Sequence, residues 1–85
     1  MQFNNIAVAK VICRLREEKT LSQEVLSGLA GIARSHLSMI ENGVKQPNFE
    51  TIWKLALALD KLPSELVAEI EKETAILEKE QTAEE

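Results

Sequence analysis

Apolar residues recur along this 85-residue chain three and four positions apart, with polar residues between them, so the pattern reads as helical from end to end. Ile6, Val8, Ala9, Ile12 and Leu15 mark the apolar face of a first helix. Asn4 or Asn5 is placed to cap it, and it is expected to run to about Lys19. Arg14, Arg16 and Lys19 fall in its last turns, where cations suit the helix dipole. Thr20 follows without the glycine that commonly ends a helix, which predicts a strained turn.

Between Gln23 and Asn42 the phase changes twice. Leu26 and Ala30 lie one turn apart on a short second helix, for which Ser22 is a good N-cap and Gln23 and Glu24 form the first turn. Gly28 inside it either admits a close neighbour or is simply tolerated. Gly31 stands where the chain must reverse. A third helix is expected from about Ala33 to Asn42, stopped by Gly43, which gives the two helices and tight turn of a helix-turn-helix. At about 100° per residue, Arg34, Ser35, Ser38 and Asn42 share one arc, while Ala33, Leu37 and Ile40 point the other way. The polar arc holds no carboxylate, whereas a merely solvated face would mix Glu with Lys.

Val44 to Pro47 reads as a loop, and Asn48 as the cap of a fourth helix through Leu59 with Ile52, Leu55, Ala56 and Leu59 inward. Pro63 suits the first turn of a fifth helix, followed by Ser64 and Glu65, and Leu66, Ile70 and Leu77 continue a stripe along it. Residues 81–85 are expected to fray. The expected fold is all-α with five helices: a domain over residues 1–66 and an acidic helical extension over 67–85.

Composition narrows the function classes. No apolar run approaches the roughly 18 residues of a membrane span, and the N-terminus lacks a signal-peptide profile, so a cytoplasmic protein is expected. A single cysteine, Cys13, allows no disulfide within one chain and reads as a small buried hydrophobe. One histidine, His36, and one cysteine far apart give no catalytic or metal-binding constellation; no enzyme activity, metal or cofactor is expected. The net charge of −4 opposes nucleic acid at first sight. Residues 1–65, however, carry eight Lys+Arg and seven Asp+Glu, while residues 66–85 carry two and seven, so the acid belongs to the tail.

The run LREEKTLSQEVLSGLAGIARSHLSMIENGVKQPNFETIWKLALAL resembles the Cro/repressor-type helix-turn-helix family, which includes phage repressors and restriction–modification controller proteins. Leu21-Ser22-Gln23-Glu24, Ala30-Gly31, Leu37 through Gly43 and Pro47 carry the likeness, which spans about Ile6 to Leu66. The resemblance implies a lambda-repressor-like fold and a transcriptional regulator that binds double-stranded operator DNA as a homodimer, with the third helix in the major groove. Arg34, Ser35 and Ser38 match base-contacting positions. Ser22, Gln23, Asn42, Lys45 and Gln46 match backbone-contacting ones, and Arg16 and Glu41 match an ion pair joining the first and third helices. Met39 borders the implied DNA face and His36 points away from it.

The chain departs from the pattern at Ala33, where a Ser or Thr cap is common, at Thr20 in place of a glycine, and at Ser27 in place of a small apolar residue. Trp53 and Leu57 are apolar where the family is often polar. Either they pack against the fifth helix or they form a dimer surface with Leu66, Ile70 and Leu77. Two alternatives to a simple operator-binding regulator stay open: an antitoxin or controller protein that also binds a protein partner, and a protein-interaction module with no DNA role. The acidic tail would suit the latter, or would repel DNA phosphate.

Overall fold

Each helix begins and ends where its flanking side chains satisfy the free backbone groups. The computed structural model describes the backbone of residues 1–83, with side chains to 81, and contains five helices: α1 (Asn5–Glu18), α2 (Gln23–Ala30), α3 (Arg34–Glu41), α4 (Phe49–Ala58) and α5 (Pro63–Ala83). Asn4 caps α1, its Oδ1 accepting from the N–H groups of Ile6 and Ala7 at 2.8 and 3.3 Å. The Ser22 hydroxyl accepts from the Val25 N–H, and the Asn48 Oδ1 from that of Thr51. Ala33 opens α3 with no side-chain hydrogen bond. At α5 the Glu65 carboxylate reaches back to the Leu62 N–H at 2.7 Å, half of a capping box around Pro63.

The helix ends show where the chain turns at a cost. Gly31 and Gly43 adopt left-handed φ of 72° and 74°, which glycine does without strain. Thr20 and Asp60 adopt φ of 55° and 59° after α1 and α4, a region that costs a residue with a Cβ about 1–2 kcal/mol. The strain at Thr20 follows from its missing glycine; that at Asp60 had no counterpart in the sequence pattern. The two turns lie together, with Lys19 Nζ 2.7 Å from Asp60 Oδ2.

The core lies where all five helices converge. It is built from Val8, Val11, Ile12 and Leu15 of α1, Leu26 and Ala30 of α2, Leu37 and Ile40 of α3, Ile52, Leu55 and Ala56 of α4, Leu59 just after it, and Leu66 of α5. Two expectations are corrected, and one open alternative is decided. Ala7 and Val11 are buried while Ile6 is exposed, because α1 packs against both α3 and α5 and its covered arc is wider than a single stripe. Ile6 instead lies over Gly43, its Cδ1 2.8 Å from where a Cβ there would sit. Gly28 faces open space, so of its two readings simple tolerance holds and close approach does not. Leu66, expected on a dimer surface, has no exposed area and belongs to the core, because α5 lays its first turns directly on α4 and α1. Residues 81–83 are helical; the expected fraying of residues 84 and 85 falls outside the described residues.

Candidate nucleic-acid interface

The α2–turn–α3 unit presents α3 to solvent along one side while Leu37 and Ile40 anchor the other. Arg34, Ser35 and Asn42 are exposed and Ser38 is half-buried, so the predicted polar arc is open at the surface. Lys45 and Gln46, in the loop after α3, are exposed, as is Ser22 at the head of α2. Among the described residues neither Arg34 nor Lys45 is paired with a carboxylate, leaving both cations free to meet an anion. Met39 borders this surface and is partly exposed, and His36 is half-buried.

The one carboxylate on α3 is turned away from the arc. Glu41, its side chain 4% exposed, accepts from Arg16 Nε at 2.7 Å and Nη2 at 2.9 Å, and from Gln23 Nε2 at 3.0 Å. Arg16 Nη1 also donates to the Leu21 carbonyl at 2.8 Å. The guanidinium thus ties α1 to α3 and to the chain entering α2, and the hydrogen bonds it donates to the Glu41 carboxylate push its pKa further up. The resemblance implies that Gln23 both contacts the DNA backbone and supports the third helix; here its amide donates to Glu41 of α3, which is the supporting contact. That bond spans 18 residues, so its partner, Glu41, is not marked by any local pattern.

Cys13 is half-buried beside the same cluster, its Sγ 3.7 Å from Glu17 Oε1 and 3.9 Å from Arg16 Nη2. Burial and then the carboxylates of Glu41 and Glu17 push its thiol pKa up. This keeps it protonated.

The remaining predicted residues lie elsewhere. Trp53 and Leu57 on α4 stand 48% and 56% exposed, so the rest of the chain leaves about half of each side chain open. Ile70 is packed against the core, and Leu77 is half-buried farther along α5. Phe49, not singled out from sequence, is 70% exposed and its ring lies 6.0 Å from that of Trp53. Its spacing of four from Trp53 and eight from Leu57 was the available signal.

The helix-turn-helix family profile matches residues 14–66, more than half of the chain. The chain belongs to the helix-turn-helix family. This helix-turn-helix protein is 38% identical over 60 residues, 71% of its length, to the uncharacterized HTH-type transcriptional regulator y4dJ of Sinorhizobium fredii, covering 78% of that protein. It is similar to the restriction–modification controller protein C.AhdI of Aeromonas hydrophila, with 39% identity, a TM-score of 0.70, and coverage of 73% of this chain and 94% of that one. The same fold recurs in the controller protein C.Esp1396I, solved as a tetramer with its 35-base-pair operator, at 23% identity and a TM-score of 0.77, over 86% and 96% of the two chains. Among the described residues of this helix-turn-helix protein, no helix is long and apolar enough to cross a membrane.

Proposed function

We propose that this protein is a transcriptional regulator that binds a palindromic DNA operator as a homodimer, laying α3 in the major groove. The observation that carries the reading is the exposed arc of Arg34, Ser35, Ser38 and Asn42, from which the only carboxylate of α3, Glu41, is withdrawn and neutralised by Arg16. An α3 arc without exposed acid, beside two unpaired cations, suits a phosphate-lined groove. Arg34 donates to a guanine edge, and Ser35 and Ser38 read neighbouring bases. Ser22, Gln23, Asn42, Lys45 and Gln46 hold the backbone on either side. One unit spans only a few base pairs, so two units about 34 Å apart on a palindrome supply the specificity.

A second reading narrows the first. The 39% identity to C.AhdI over most of that protein supports a restriction–modification controller. A reporter driven by the chain's upstream DNA tests it: expression that does not change with the protein present removes this reading.

The main proposal is tested by selecting bound sequences from random DNA and titrating salt against the winner. Sequence-selective binding that weakens steeply with salt is expected; no selective binding at low salt refutes it.

A further inference from the structure

We propose that Asn42 is a site of spontaneous deamidation, at which the Gly43 backbone converts the side-chain amide to a carboxylate, and that the product no longer holds DNA. The effect on DNA rests on the operator-binding reading above; the covalent chemistry stands without it.

The chain has four asparagines, and their surroundings separate them. Asn4, Asn5 and Asn48 precede Asn5, Ile6 and Phe49, whose side chains crowd the backbone nitrogen that would have to react. The Oδ1 atoms of Asn4 and Asn48 are also held as helix caps, and that of Asn5 is buried. Asn42 differs on every count. It is exposed, its side chain makes no hydrogen bond among the described residues, and Gly43 has no Cβ to shield its nitrogen.

The reaction needs water alone. The Gly43 nitrogen gives its proton to solvent and attacks Asn42 Cγ, closing a five-membered imide. The Cγ–Nδ2 bond breaks, and ammonia leaves after taking a proton from water. A second water then opens the ring at one of its two carbonyls. One opening restores the ordinary main chain with aspartate at this position; the other leaves the main chain running through Cγ, as isoaspartate. The net change is one water consumed and one ammonia released, and either product carries a carboxylate.

The fold sets the pace. Asn42 has ψ 0°, and the Gly43 N–H donates to the Ile40 carbonyl at 3.1 Å, so the nitrogen is turned from Cγ while α3 is intact. The last turn of α3 must open first, and helix ends open at low free energy. An operator phosphate bound by Asn42 keeps that turn closed and occupies the amide, so the unbound protein is the form that reacts. The new carboxylate falls in the α3 arc of Arg34, Ser35 and Ser38, which otherwise exposes no acid, and it repels phosphate. Isoaspartate also adds a carbon to the main chain just before Gly43, which sits close against the Ile6 side chain.

The test incubates the full chain in mildly alkaline buffer in three states: folded, folded with excess selected operator, and unfolded in urea. Peptide mapping by mass spectrometry follows the conversion of amide to acid. Conversion is expected at Asn42 ahead of every other asparagine, as both aspartate and isoaspartate, fastest in urea and slowest with operator. Asn42→Gln should abolish it. A folded chain whose Asn42 stays an amide while the unfolded chain is converted overturns the site, as does faster conversion at another asparagine. Equal rates with and without bound operator overturn the protection. The reacted protein, separated by anion exchange, and the Asn42→Asp variant are both expected to keep the helical circular dichroism of the parent and to bind operator about tenfold more weakly or worse. Unchanged affinity in both overturns the effect on DNA. A parent that binds no selected sequence refutes the operator reading and that effect with it, while conversion at Asn42 is judged by the mass spectra alone.

Discussion

Arg16 and Glu41, 25 residues apart, are joined by two hydrogen bonds of 2.7 and 2.9 Å that fix the exposed helix to the first helix of the chain. A bidentate pair of this kind restrains both position and rotation. Gln23 joins the same carboxylate, so the head of α2 and the tail of α3 are locked as one unit. Glu41→Ala leaves the guanidinium largely buried without its counter-charge, and a loss of about 3 kcal/mol is expected in urea unfolding. Arg16→Met combined with Glu41→Leu should recover most of that loss, since neither variant side chain needs a charged partner. A single variant as stable as the parent shows that the pair does not bind the helices together.

Gly28→Ala is expected to stabilise the protein by about 1 kcal/mol, because the added Cβ meets nothing within 4 Å and the helix interior favours alanine. The same change at Gly43 should destabilise, where φ is positive and the Ile6 side chain stands 2.8 Å from the new atom. Thermal unfolding of the two variants should move in opposite directions.

Thr20→Gly should raise stability by up to about 1 kcal/mol: the relief of left-handed strain exceeds the extra chain entropy of glycine by that margin at most. A melting temperature at or below that of the parent shows the turn to be unstrained.

The Lys19 ammonium, by its hydrogen bond and its charge, holds the Asp60 carboxyl below its ordinary pKa. A carboxyl depressed in the folded state stabilises above its ordinary value, and the effect is lost as pH falls through the depressed one. Asp60→Asn should therefore flatten the acid side of the stability profile while leaving neutral-pH behaviour nearly the same, both groups being well exposed. Parallel acid limbs for the two proteins would discount the bond.

Arg34→Ala is expected to relax preference at one base position at a cost of about 1–3 kcal/mol, whereas Lys45→Ala weakens all sites alike and lowers the salt slope by about one. Binding competition between selected and altered operators separates the two effects. An unaltered base preference in Arg34→Ala removes it from base reading.

Local rules were enough for the helices themselves. Asn4, Ser22, Asn48, Gly31 and Gly43 mark their own ends because caps and left-handed turns act over a few residues. The arc of Arg34, Ser35, Ser38 and Asn42 needed only the helical period. Periodicity fixes the phase of a helix but not how many neighbours cover it. For that reason the burial of Val11 and Leu66, the openness of Ile6 and Phe49, and the choice of Glu41 as the partner of the Gln23 amide emerged only from the packed chain. Each depends on groups brought together from distant parts of the sequence by the common core, and no local pattern encodes which of them will touch.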